Sequence, residues 1–191
     1  MADFEIAHKR TEGFEGGYAN DKDDSGGETW RGIARNYNPK WKGWVIIDKI
    51  VPVKPKTWNR AIFAAINKKL YAHKELNQWV DAYYEANYWD CINLDFISSQ
   101  EVANSLFDIS VNMGSGRAAR FLQKALGVLV DGKIGPKTIA AANSSDPKFL
   151  YDSINELRAK KYEQIIADNP SQEKFRESWF SRIKPFEKAL V

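Results

Sequence analysis

The 191-residue sequence predicts a mainly α-helical protein with one small β-hairpin near residues 17–34. Apolar residues recur at three- and four-residue spacing through most of the chain. Helix start and stop residues bracket those runs, and strand signals are confined to one short, glycine-bounded stretch.

Taken in order, a first helical segment closes at Glu15. Tyr18-Ala19 and the run Thr29 to Ile33 then flank a loop rich in Gly and Asp and form the hairpin. Residues 57–72 put Trp58, Ala61, Ile62, Ala65, Ile66 and Leu70 on one helical face, with Thr57 as N-cap. Residues 76–89 carry Trp79, Ala82, Tyr83 and Ala86 at helical spacing. The next two helices are 99–112, with Val102, Leu106 and Ile109, and 116–126, with Ala119, Leu122 and Leu126. Asp131-Gly132 reads as a tight turn and Pro136 as a helix start. Asp146-Pro147 opens a helix through Leu150, Ile154, Leu157 and Ile165, which Asn169-Pro170 ends. A last helix repeats Phe175, Trp179, Ile183, Phe186 and Leu190, kinked at Pro185. No linker separates the halves. Residues 1–95 and 96–191 are expected to form two regions packed together, divided near 93–100.

Composition narrows the function classes. Aromatic residues make up 13%, with seven Trp and eight Tyr, side chains suited to sites both apolar and hydrogen-bonding as well as to cores. Lys40 to Lys74 holds nine basic residues against one acid, Asp48, while Glu75 to Gly116 holds seven acids and no Lys or Arg. Such a bipolar surface suits an anionic polymer, whether cell wall, membrane surface or nucleic acid, and equally two solvated faces of opposite sign. Cys91 is the only cysteine, so no intrachain disulfide forms, and it is expected to be a small buried apolar residue. His8 and His73 sit in no ligand cluster, which argues against a zinc site or a Cys–His nucleophile, and no phosphate-loop or dinucleotide motif is present. No metal or other cofactor is expected. The N-terminus lacks the apolar run of a signal peptide, so cytoplasmic synthesis with export by another route is expected. No stretch reaches the roughly eighteen apolar residues that span a bilayer.

Residues 12–34 carry the densest chemistry, with two Gly-Gly pairs, three Asp and three Glu. A calcium loop starting at Asp21 has oxygen ligands at alternate positions but meets Gly32 where a bidentate Glu belongs. A solvated turn explains Asp, Asn, Ser and Gly but not Glu15 directly before Gly16-Gly17-Tyr18. A glycosidase site explains both, because it needs one acid of raised pKa and a second group to hold water or steady a cation. Glu15 at a helix end, facing Asp24 and Thr29 across the hairpin, suits that division of labour. Elsewhere, Tyr83, Tyr84, Tyr88 and Trp89 offer rings either to a pyranose or to the core. Asp108 and Asn112 share a helix face, where Asn112 either lines a cleft or caps the helix before Gly114.

The run E-G-G-Y-x-N-D-x-x-D-x-G-G-x-T-x-x-G-I, Glu15 to Ile33, resembles the hallmark of glycoside hydrolase family 108. Y-W-D at Tyr88 to Asp90 and F-D-x-x-V-N-x-G at Phe107 to Gly114 also resemble that family. The segment Leu122 to Ile139, with D-G-K-I-G-P-K-T, is similar to the predicted peptidoglycan-binding segment that accompanies it. The resemblance covers nearly the whole chain and departs where proline would stand at Lys22 or Ser25. It implies a lysozyme-like helical fold and an N-acetylmuramidase of phage or secretion-activator type acting on peptidoglycan glycan strands at the cell wall. It also implies Glu15 as catalytic residue with Asp21, Asp24 and Thr29 as helpers. Tyr18, Asp21, Tyr88, Trp89, Asp108 and Asn112 are the residues expected to contact substrate. A holin-like membrane pore is the expected export partner; nucleic acid is not an expected partner. The alternative is a non-catalytic wall-binding protein that assists secretion.

Overall fold

The computed structural model describes residues 1–11, 16–20, 24–55 and 59–187. The helices in chain order are α1 (Phe4–Thr11), α2 (Gly43–Ile50), α3 (Arg60–Tyr71), α4 (Lys74–Tyr84), α5 (Gln100–Met113) and α6 (Ser115–Leu126). They continue with α7 (Pro136–Ser144), α8 (Pro147–Asp168) and α9 (Arg176–Phe180). Three short strands, β1 (Tyr18–Asn20), β2 (Glu28–Trp30) and β3 (Ile33–Ala34), form one antiparallel sheet in that order. The fold is mainly α with a small sheet, as the periodicity predicts, and is lysozyme-like in the sense the resemblance implies. Among the described residues, no helix is long and apolar enough to cross a membrane. The backbone gathers into two compact units: Thr11–Tyr83, and Met1–Arg10 together with Tyr84–Val191.

In the first unit, α3 is the sheet's support. Asn59 caps it, its side-chain oxygen accepting from the N–H groups of Ala61 and Ile62. Thr57 and Trp58 lie outside the described residues. The buried face keeps Leu70 from the expected one but takes Phe63 in place of Ile62, which is exposed. Phe63, Asn67 and Leu70 stand at i, i+4 and i+7, and this stripe meets β1, where the Phe63 ring lies 5.8 Å from that of Tyr18. In α4 the buried stripe is likewise Leu76, Val80 and Tyr84, with Ala82 exposed. Helix α2 was not expected from so basic a stretch; Trp44, Ile46 and Ile47 bury its apolar side.

In the second unit, α5, α6 and α8 pack on one another. Helix α5 begins at Ser99, whose hydroxyl accepts from Val102 N–H, and ends at Gly114 with φ of 91°. Asp146 caps α8 by accepting from Phe149 N–H at 2.7 Å, with Pro147 in the first turn. Leu150, Ile154, Arg158, Tyr162 and Ile166 then bury a strict i, i+4 stripe, each apolar member contributing about 1.5–3 kcal/mol by leaving water.

Two expected helices are shorter. The one expected to reach residue 89 ends as α4 at Tyr84, and Glu85–Trp89 continue as a π-helical turn. The last helix stops at Phe180, because the following chain is held by side-chain anchors rather than by its own ladder. Tyr151 donates its hydroxyl to Lys184 O at 2.9 Å, and the rings of Tyr151 and Phe186 lie 5.5 Å apart. Cys91 is exposed, not buried; its thiol donates to Asn87 O at 2.9 Å.

Candidate active site

Glu15 and Asp21 lie outside the described residues. Tyr18 pairs with Trp30, Ala19 with Thr29 and Asn20 with Glu28 in β1–β2, and Thr29 pairs with Ala34 in β2–β3. Gly17 lets β1 approach α3: a Cβ there would stand 2.6 Å from Asn67 Oδ1, the atom that accepts the Tyr18 N–H at 2.8 Å. The turn is built by Asp24. Its Oδ1 accepts from Gly26 N–H at 2.8 Å and its carbonyl from Gly27 N–H at 2.9 Å, an Asx-type turn. Gly27 takes φ of +66°, and a Cβ on it would meet the Asn36 amide at 2.9 Å. Its carbonyl accepts the Thr29 hydroxyl at 3.1 Å. Gly27 thus links the two residues, its N–H donating to the Asp24 carbonyl and its carbonyl accepting the Thr29 hydroxyl, while the Asp24 carboxylate accepts the neighbouring Gly26 N–H. Asp24 is exposed, so its remaining lone pairs face water, and Thr29 is half-buried.

Glu28 holds the sheet from behind, a role the loop's acid count did not single out. Its carboxylate is buried, accepts the Tyr18 hydroxyl at 2.7 Å, and pairs with Arg35 and Lys54, each at 2.7 Å. Asp48 bridges the same two cations, at 2.7 Å from Arg35 and 2.8 Å from Lys54. Burial first, and the adjoining Glu28 carboxylate second, push the Tyr18 phenol well above its ordinary value. The Arg35 hydrogen bond holds the Asp48 carboxyl below the usual carboxylate range. Tyr18 therefore faces the interior as a strut, with its ring on Phe63 and its hydroxyl on Glu28.

Also in this unit, Arg31, Tyr71, Asn77 and Asp81 line a pocket of about 330 Å³. Arg31 takes a left-handed φ of 45° and sets its guanidinium over the Tyr71 ring, 5.9 Å from the centroid. Asn77 donates to Tyr71 O at 2.8 Å, while its buried Oδ1 has no hydrogen-bond partner among the described residues. No periodicity or motif announces this pocket, because its members come from a strand end and two helices.

The remaining expected residues lie in the second unit. Tyr88 is half-buried with its ring 5.5 Å from that of Tyr84. Trp89 is fully buried against Phe4 and Phe107, and its indole N–H donates to Asp95 at 2.7 Å, so neither face of its ring is open. Asp108 is buried between two arginines, paired with Arg158 and, at 2.8 Å, with Arg182. Asn112 accepts the Tyr162 hydroxyl at 2.8 Å, and Gly114 ends the helix, so the Asn112 amide is a side-chain acceptor rather than a cap. Asp108 and Asn112 are brought together, through Arg158 and Tyr162, as Arg158 Nε donates to Tyr162 Oη at 2.8 Å. Among the described residues, no cluster of three His, Cys, Asp or Glu side chains could hold a metal ion.

A family model described as Glycosyl hydrolase 108 matches residues 8–114, and one described as Predicted Peptidoglycan domain matches residues 117–184. No curated protein matches the chain. A solved structure titled "Structure of Brucella abortus SagA" is similar over 94% of this chain and 88% of that one, with a TM-score of 0.62 and 24% identity, a likeness of fold. With more than half its residues matched by that model, the chain belongs to the Glycosyl hydrolase 108 family.

Proposed function

We propose that this peptidoglycan-directed glycoside hydrolase is an N-acetylmuramidase that cleaves the β-1,4 bond between N-acetylmuramic acid and N-acetylglucosamine. The observation that supports the reading is the turn around Gly27, whose N–H donates to the Asp24 carbonyl and whose carbonyl accepts the Thr29 hydroxyl, in the hairpin that follows Glu15. Glu15 donates the proton to the leaving glycosidic oxygen. Asp24, exposed and with lone pairs to spare, accepts a proton from water or balances the oxocarbenium charge, and the Thr29 hydroxyl orients that water. Among the substrate contacts expected from sequence, Tyr88 and Asn112 are kept, and Asp21 joins them as part of the family motif. Tyr18, Trp89 and Asp108 are assigned to support, since their polar atoms are taken up inside the protein. In this reading residues 1–95 hydrolyse, residues 96–191 hold the wall, and the protein acts at the cell wall after export, with a holin-like pore as the route.

Wall-suspension clearing by wild type, Glu15→Gln, Asp24→Asn and Thr29→Val tests this. The expected order is full activity, none, a loss of about 10²–10³ and a loss of about tenfold. Unreduced clearing by Glu15→Gln overturns the reading. Binding to sacculi without clearing, by wild type as well, favours the non-catalytic wall-binding protein.

A further inference from the structure

The segment matched by the peptidoglycan model carries a pocket of about 530 Å³ whose lining includes Gln123, Leu129, Lys133, Pro136 and Lys137. We infer that it recognises the peptide stems of the wall, by their carboxylates and small side chains, and not the sugar strands; this rests on the wall-directed reading above.

The loop around the pocket is built for rigidity. Gln123, almost fully buried, donates to Asp131 Oδ1 at 2.7 Å and to Lys133 O at 3.0 Å, and accepts from Gly132 N–H at 2.8 Å. Gly132 has φ of +79°, a conformation strained for any residue with a Cβ, and a Cβ there would stand 3.1 Å from the Arg120 guanidinium carbon. This frame presents apolar side chains to water: Leu129 is 81% exposed and the adjoining Val130 40% exposed.

Three features select the ligand. No aromatic ring lines the pocket, so the stacking surface that a pyranose site normally uses is missing. Lys133 and Lys137 line it without an ion pair among the described residues, so they outnumber the one acid of the lining. Asp131 lines the same pocket; the Gln123 hydrogen bond and the Lys133 N–H hold its carboxyl below the usual carboxylate range, so it stays ionised and offsets one lysine, leaving the lining net positive. Aliphatic walls with a net positive lining fit a peptide carrying free carboxylates and methyl side chains. Peptidoglycan stems have that chemistry, whereas the N-acetylated sugar backbone offers hydroxyls and amides.

The test uses the full-length Glu15→Gln protein, so that glycan survives, and four probes. They are a synthetic stem tetrapeptide with free carboxylates, the same peptide amidated, peptide-free glycan strands, and intact sacculi. The free-acid peptide is expected to bind, and amidation or the added double change Lys133→Gln/Lys137→Gln to weaken it about tenfold, the sum of two exposed ion pairs. Because both lysines are exposed, an unchanged circular dichroism melt separates lost binding from lost fold. A Leu129→Ser variant, which leaves both charges in place, is expected to weaken the peptide as well. If sacculi and stripped strands bind while the peptide does not, the stem assignment falls and the wall-directed reading stands. If sacculi are not bound either, both fall.

Discussion

Each unit buries one carboxylate between two cations, and the two clusters differ in how far water reaches them. Around Glu28, the Arg35 and Lys54 side chains are 29% and 30% exposed and Asp48 is 49% exposed, so water reaches the cluster through Asp48 although Arg35 Nε and Lys54 Nζ are themselves buried. Around Asp108, Arg158 is 1% and Arg182 9% exposed, and the guanidinium also donates to the buried Tyr162 hydroxyl. A hydrated cluster can lose a member and let solvent replace it. A dry one cannot, because the orphaned charge stays where its hydration was lost. The hairpin that carries the proposed chemistry is therefore propped by an adjustable network, while α5 and α8 are bolted together by a rigid one.

The comparison breaks most directly at Arg158. Arg158→Leu leaves Asp108 with Arg182 alone and is expected to cost about 3–5 kcal/mol, read from urea unfolding midpoints. The double variant Asp108→Leu/Arg158→Leu should recover much of that loss. A single-variant cost below about 1 kcal/mol would show that the cluster is not dry. Glu28→Gln is expected to cost less, about 1–2 kcal/mol, since water can take the place of the lost charge. It should also lower wall clearing, because Thr29 is the next residue of the strand that Glu28 anchors. Gly27→Ala forces a left-handed φ on a residue with a Cβ and displaces Asn36, at about 1–2 kcal/mol. Its loss of clearing should exceed its loss of stability, since the Asp24–Gly27–Thr29 tie is what it disturbs.

The smallest effect is in pH. Tyr18 has a raised pKa in the folded protein, so above the unfolded value near 10 the native state keeps a proton that the unfolded chain has released. Stability from this group is complete below that value and falls as pH rises beyond it. Urea midpoints taken between about pH 9 and 11 should fall more steeply for wild type than for Tyr18→Phe. Tyr151 and Tyr162, also raised by burial, are common to both proteins and cancel in that difference.

What could be read in advance follows from which forces act locally. The start of α8 was legible because Asp146 and Pro147 satisfy and pre-set their own helix end. The Asp131-Gly132 turn was legible for the same reason: it needs a positive φ that glycine supplies. The hairpin was legible from spacing, but its third strand, Ile33–Ala34, was not, since two residues carry no period. The face of α3 was misread because Ile62 and Phe63 are both apolar neighbours, and only contact with Tyr18 chooses between them. The last helix was overextended because Ile183 and Phe186 keep helical spacing while Tyr151 holds the backbone elsewhere. At the site, Asp24 and Thr29 were legible as a pair, but Glu28 passed as one acid among six because Arg35 and Lys54 lie far along the chain. Trp89 and Asp108 carried the right chemistry for sugar, yet a π-helical turn buries the first and two distant arginines claim the second.

The central claim is tested most directly by borohydride reduction of the products released from purified peptidoglycan by wild type and Glu15→Gln, followed by mass spectrometry. Reduced muramic acid at the new ends, from wild type only, is the predicted result. Reduced glucosamine ends, or the same muramic ends from Glu15→Gln, would contradict it.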